Sequence, residues 1–146
     1  PNLLNAFAND TLGGSPINLT DIVARVTTPA SPVRPGAPVP SLDPLTGNVS
    51  LPPRTPAGTY TIDYEVCERV NPTNCRSATI TIAVTPAPIS ASPDAPPSAG
   101  GASATPNLIN AFANDTLGGS PVTIADITAR VTSPASPARP GAPVPL

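Results

Sequence analysis

The chain repeats its own opening after 105 residues. Residues 1–41 return as residues 106–146; nine of the 41 aligned positions differ, so 32 are identical. This spacing is the size of one small domain and lies well above the period of about 20 to 50 residues that is typical of solenoids and propellers. We therefore predict one repeat followed by the beginning of the next, within a tandem array.

Composition limits the chemistry that the chain can perform. The sequence contains no His, Lys, Met or Trp, and all seven basic residues are Arg. Because the usual general bases near neutral pH are missing, we expect no catalytic residues, no cofactor and no enzymatic activity. The arginines are scattered singly at a net charge of −2, so no basic patch is available for nucleic acid. No apolar run approaches the roughly 18 residues of a membrane span.

The clearest core signal is a pair of strands between Tyr60 and Val84. Apolar residues alternate with polar ones in both strands, as in a half-buried hairpin. The inward set comprises Tyr60, Ile62, Tyr64, Val66, Ala78, Ile80, Ile82 and Val84. If Cys67 opposes Cys75, then Ile62 faces Ile80 and every apolar residue falls on one side. A slip by one residue would break the cysteine pairing and the apolar pattern together.

Cys67 and Cys75 are predicted to form a disulfide. A metal or redox pair is the alternative, but two thiols without His or further Cys cannot complete a zinc site, and the spacing is not Cys-x-x-Cys. Closing this loop should stabilise the fold by about 2.6 kcal/mol through the lost entropy of the unfolded chain. A structural disulfide also indicates a location outside the reducing cytosol.

Further short strands are predicted upstream. One pair flanks the turn Asp43–Asn48, and residues 2–10 favour a strand leading into a turn at Asn9–Asp10, with a short helix as the alternative. Comparison of the two copies shows positions that stay apolar and are expected to point inward: Leu4, Ile17, Leu19, Ile22, Ala24 and Val26. The phase of this set shifts near Asp21, where we expect a bulge or turn. Many short strands without helical spacing indicate an all-β, antiparallel β-sandwich.

Two segments also carry a family resemblance. The hairpin run TPAGTYTIDYEVCERVNPTNCRSATITIAV continues into TPAPISASPDA and is followed by NLINAFANDTLGG. Together they resemble the tandem immunoglobulin-like or cadherin-like repeats of large bacterial surface proteins and adhesins. In that family a PxxTPAGTYTxxYxxCExxNPxNC hairpin closes one domain, and a short strand opens the next before an ANDT turn.

The resemblance implies an extracellular stalk, fibre or adhesin rather than an activity. Calcium-binding relatives place clustered carboxylates at domain junctions, whereas this chain offers mainly Asp10 and Asp115, beside Asn9 and Asn114. We therefore favour Asx turns there and predict no metal. Isopeptide crosslinks and sortase-linked polymerisation need a lysine, which this segment lacks.

The resemblance also predicts the domain boundaries. Residues 1–85 are expected to form one immunoglobulin-like repeat, whose first strand is supplied by a preceding unit. Residues 86–105 form a connector rich in Pro, Ala and Ser that contains a candidate first strand of the next repeat at residues 88–91. Residues 106–146 form the opening part of a second repeat, completed by chain continuation or by strand addition from another subunit.

Glycans are the other partner that the sequence suggests. Candidate N-glycosylation sites are Asn9, Asn18, Asn48 and Asn114, and we expect Asn48 to lie exposed at a hairpin tip. The Pro-rich stretch of residues 27–40 favours a stiff loop lying over the sandwich or crossing between sheets, with sugar attachment or recognition by a Pro-binding module as alternatives.

Two functions follow as hypotheses. The first is a repeat unit of an extracellular bacterial filament or stalk whose main partner is another copy of itself. The second is an adhesin module whose loops recognise a sugar or a host protein. Sugar sites usually present exposed aromatic rings, and the sequence places its tyrosines on the inward face, which favours the first hypothesis.

Overall fold

The protein is all-β in the residues that the structure describes. The computed structural model describes residues 2–103, 105–137 and 139–140, and within these it contains eleven short strands, one 3₁₀ turn and no α-helix. All strand pairs are antiparallel. The chain divides into two compact units, Pro1–Pro86 and Ala87–Leu146.

The first unit contains eight strands among its described residues. They are β1 (Asn2–Asn5), β2 (Thr11–Leu12), β3 (Ser15–Pro16), β4 (Ile22–Thr28), β5 (Ser41–Leu42), β6 (Asn48–Ser50), β7 (Gly58–Glu68) and β8 (Cys75–Val84). One sheet has the order β1-β6-β5 and another the order β4-β7-β8, while β2 and β3 form a small hairpin. The predicted strands around the Asp43–Asn48 turn and the strand before Asn9–Asp10 are therefore confirmed.

The two three-stranded sheets share one core. Leu42 and Val49 contribute to it from the first sheet, and Tyr60, Ile62 and Tyr64 contribute from β7 in the second. Val49 and Ile62 are almost completely buried. Two antiparallel sheets that enclose a common apolar layer are consistent with a β-sandwich.

The β7–β8 hairpin has the register that the sequence predicts. Cys67 opposes Cys75, Ile62 opposes Ile80, and Tyr60 opposes Ile82. The two cysteines are joined by a disulfide. Alternation therefore places the apolar side chains of both strands on one face, because a strand turns successive side chains to opposite sides.

The Pro-rich stretch connects the two sheets. It leaves β4, which belongs to the β4-β7-β8 sheet, and ends at β5 in the β1-β6-β5 sheet. Ala30 and Pro40 are buried along the way, and Val39 packs against the core. The prediction that this stretch crosses between the sheets is confirmed. Some of the side chains in the stretch are also part of the core.

Two of the inward predictions are wrong, and a third holds only in part. Leu4 is 41% exposed, because it lies on the edge strand β1. The buried residues of this part of the chain are Ala6 and Phe7, which follow β1. Leu19 is 45% exposed, because residues 18–21 form a surface turn. This turn is the phase change expected near Asp21. Ala78 lies on the inward face of β8 but is exposed there.

The second unit repeats the first 41 residues of the first unit, but among its described residues only the small β2–β3 hairpin of that unit returns. Its strands are β9 (Ile89–Ser90), β10 (Thr116–Leu117) and β11 (Ser120–Pro121), and a 3₁₀ turn follows at Ile124–Asp126. Residues 127–133, which correspond to β4, contain no strand, and Val131 is 80% exposed. In the first unit β4 is paired with β7, and the described residues of the second copy contain no counterpart of β7. The end of this copy, residues 141–146, lies outside the described residues.

Gly47 provides a test of how tightly the β5–β6 turn is packed against the residues at the end of β1. Its φ of +74° is reached in the β5–β6 turn, and a Cβ at this position would collide with Phe7 and lie 2.8 Å from Asn5 Oδ1. Gly36 has nearly the same φ, +75°, but nothing lies within 4 Å of its Cβ position. We expect Gly36→Ala to lower the free energy of unfolding by about 1 to 2 kcal/mol from backbone strain alone.

Gly47→Ala should cost a further ~1 to 3 kcal/mol, because the buried Phe7 ring must move. Chemical denaturation of both variants measures the difference. Equal losses in the two variants would show that Phe7 is not packed against this turn.

Candidate functional site

A groove beside β2 is one of the concave sites in the described part of the first unit. We call it the β2 groove; it has a volume of about 280 Å³ and lies between residues 10–13 on one side and Arg76–Ala78 of β8 on the other. Its apolar lining includes Leu12, Ile17 and Val66, all of which are only partly buried. The groove therefore leaves one end of the core incompletely covered.

The groove is bordered by two strands, β2 and β8, that each have one edge without a paired strand. Among the described residues, β2 pairs only with β3, and β8 pairs only with β7. An unpaired edge presents free backbone N–H and C=O groups, which is the usual template for strand addition. The exposure of Ala78, which the alternation of β8 places inward, has the same origin, because no element covers this part of the face.

Tyr64 and Asp10 form the polar end of the groove. The Tyr64 hydroxyl donates to Asp10 Oδ2 at 3.1 Å and also lies 3.3 Å from the Ala6 carbonyl oxygen. Burial raises the pKa of Tyr64 to about 12, and the negative charge and hydrogen bond of Asp10 act in the same direction. The Tyr64 ring also packs on Phe7, with ring centroids 5.8 Å apart.

In the second unit, a strand is paired with the segment whose sequence is identical to that around β2. Residues 114–118 and residues 9–13 are both NDTLG. In the second unit β9 pairs with β10, with Thr116 opposite Ser90 and Leu117 opposite Ile89. In the first unit, β2 has no equivalent of β9 among the described residues.

Side chains and backbone on both sides of β10 extend this contact. Gly118 N donates to the Pro88 carbonyl oxygen at 2.8 Å, and Ser92 N donates to Asp115 Oδ1 at 2.9 Å. Asn114 Nδ2 lies 3.4 Å from the Pro93 carbonyl oxygen. The segment Pro88–Pro93 is therefore held along its length, and a strand lies within the predicted range of residues 88–91.

The disulfide lies beside an exposed ion pair on the outer face of the hairpin. Arg25 donates twice to Glu65 Oε2, at 2.8 and 3.0 Å, and Cys67 Sγ lies 3.5 Å from the same oxygen. Glu65, Cys67 and Cys75 are close enough together to resemble a metal-ligand set. Because both sulfurs are committed to the disulfide, neither is a thiolate, and thiolates are what metal ligation requires.

The carboxylates considered for calcium have protein partners instead. Asp10 accepts from Tyr64, and Asp115 accepts from the Ser92 amide. Asx turns form elsewhere: the side-chain oxygens of Asn5, Asn18, Asp43 and Asn110 accept from amides two residues further on. Sequence reasoning missed the roles of Asp10 and Asp115, because their partners are distant in the chain and only the fold brings them close.

The candidate glycosylation sites differ in accessibility. Asn9, Asn18 and Asn114 are exposed. The prediction that Asn48 lies exposed at a hairpin tip is wrong. Asn48 is half-buried and is the first residue of β6. Its Oδ1 atom accepts a hydrogen bond from Asn5 Nδ2 at 3.2 Å. The turn before Asn48 is short, so the strand pairing with β1 starts at this residue.

Comparison with protein-family models, curated proteins and solved structures found no match. In the described part of the chain, no helix is long and apolar enough to cross a membrane. The disulfide is compatible with an extracellular protein.

Tyr64 leads to a prediction for alkaline pH. The folded state holds the phenolic proton up to a pKa of about 12, whereas the unfolded chain releases it near 10. The stability contributed by the neutral phenol is therefore fully present below pH 10 and is lost as pH rises from 10 towards 12. We expect the free energy of unfolding to fall across this window.

Tyr64→Phe should flatten this dependence, since the titrating group is removed. Tyr60→Phe is the matched control: the Tyr60 hydroxyl donates to the Pro56 carbonyl oxygen at 2.8 Å, so this variant also loses one hydrogen bond. Urea titrations at pH 8 to 11.5 measure the slope. The assignment is wrong if Tyr64→Phe retains the full slope.

Proposed function

We propose that this chain is a piece of a structural, non-enzymatic extracellular bacterial filament or surface stalk, built from immunoglobulin-like repeats that join end to end. Each unit would contribute length and cohesion. The contact with the next unit would come from chain continuation or from a strand exchanged between subunits.

One observation carries the proposal: the segment that forms β4 in the first copy forms no strand in the second, although five of its seven residues are identical. IVARVTT of the first unit forms β4 against β7, whereas ITARVTS at residues 127–133 forms no strand. Because β4 is paired with β7 in the first unit, a β7-type strand is the partner that would order residues 127–133. Continuation of the chain or a strand from another subunit would supply it.

The repeated sequence favours head-to-tail contacts, because each copy of the repeat would meet the next in the same way. Contacts of this kind do not close on themselves and generate open filaments.

Other features agree with a structural role. The aromatic side chains of the first unit, Phe7, Tyr60 and Tyr64, lie in its core, so the described residues of that unit expose no aromatic ring on which a sugar could stack. The hairpin is covalently closed by its disulfide, and a crosslink of this kind makes a small core more robust outside the cell.

Sedimentation velocity over a hundredfold range of protein concentration tests the proposal. We expect species larger than the 14.5 kDa monomer that grow with concentration, and elongated particles in negative-stain images. A compact monomer at every concentration, with the apolar surface of the second unit protected, would contradict the proposal.

A further inference from the structure

We propose that the β2 groove is the acceptor site for the Pro88–Pro93 segment of a second copy of this chain. This inference rests on the proposed function and adds to it the segment, the acceptor and the register. The donor strand would add antiparallel to β2 in the way that β9 adds to β10 within the second unit.

The acceptor edges are chemically the same in both units. Asn9, Asp10, Thr11, Leu12 and Gly13 have their counterparts, residue for residue, in the segment that already binds β9. Each also stands in the same place relative to a following two-residue strand, since β2 pairs with β3 in the register in which β10 pairs with β11. An edge with identical residues and an identical hairpin offers the same hydrogen bonds to the same strand.

The register follows from the pairs in the second unit. Ser90 of the donor would lie opposite Thr11, and Ile89 opposite Leu12. Gly13 N would donate to the Pro88 carbonyl oxygen, as Gly118 N does. The Asp10 Oδ1 atom would accept from the Ser92 amide, while Oδ2 keeps its bond to Tyr64.

The β2 groove offers the donor strand more apolar surface than its own unit does, which favours transfer of the strand to the groove. Within its own unit Ile89 is 66% exposed, because residues 106–137 supply no hairpin to cover it. The β2 groove offers Leu12, Ile17 and Val66. Moving the strand to the groove keeps its backbone hydrogen bonds and adds burial of Ile89 and Ala78, so the exchange is favoured by the apolar area removed from water.

The position of the groove fits an added strand. It lies between residues of β2 and β8, each of which has an unpaired edge among the described residues. A donor there would pair with β2 and cover the inward face of β8 at Ala78. The same strand thus closes the open end of the core.

Intermolecular disulfide trapping tests the register. One chain carries Thr11→Cys and a second, mass-labelled chain carries Ser90→Cys; both positions are exposed, and directly opposed residues in a strand pair are close enough for a disulfide. The matched control replaces Ser90→Cys by Ser98→Cys, an exposed serine eight positions further along the same connector. Mixed dimers are quantified by intact mass after mild oxidation.

We expect the Thr11→Cys and Ser90→Cys mixture to give at least tenfold more mixed dimer than the control mixture. A synthetic peptide covering residues 86–95 should suppress this dimer, and the same peptide with Ile89→Asp should not. Protease mapping must place the bond between residues 11 and 90, with Cys67–Cys75 intact.

The failures of the two proposals can be told apart. Oligomers in sedimentation velocity together with equal trapping in both mixtures would overturn the donor segment while leaving a filament joined elsewhere. Equal trapping with a monomeric wild-type chain would overturn both. Suppression by the Ile89→Asp peptide as strong as by the wild-type peptide would overturn the groove as the acceptor.

Discussion

The buried face of β7 is the surface on which the rest of the first unit depends. Tyr60, Ile62 and Tyr64 alternate along it, and three neighbours cover it: β4 at one edge, β8 at the other, and the β1-β6-β5 sheet across the core. Strands as short as these are not stable by themselves, so each is ordered by the apolar surface that it shares with β7. The disulfide adds to this by holding β8 beside β7 in the register that keeps every apolar side chain on one side.

The two copies of the opening sequence act as an internal control for this dependence. Thirty-two of 41 positions are the same, yet only the copy that has β7 forms the seven-residue strand β4. Local propensity therefore does not decide whether these residues form a strand. The small hairpin forms in both copies, as β2–β3 in the first and β10–β11 in the second. Its turn contains a glycine with positive φ, Gly13 or Gly118, so this hairpin is determined by local turn geometry and needs no distant strand.

Sequence reasoning reached the parts of this fold that are encoded by periodicity and by covalent chemistry. The β7–β8 register, the disulfide and the inward positions Ile22, Ala24 and Val26 follow from alternation and from the cysteine spacing. It failed at Leu4 and Leu19, because an apolar residue kept in both copies reports similarity and not burial. It predicted that the first strand of residues 1–85 comes from a preceding unit, but it could not locate the β2 groove. The residues that line this groove are far apart in the chain, and only the fold brings them together.

The central claim is that the β4 segment of a repeat becomes ordered as a strand only when a β7-type strand pairs with it. Amide hydrogen exchange tests this most directly, on the present chain and on a chain extended after Leu146 by a copy of residues 42–86. The account predicts that amides of residues 127–133 exchange freely in the present chain and become protected in the extended one, to the level of Ile22–Thr28. Protection of residues 127–133 in both chains, or in neither, would contradict it.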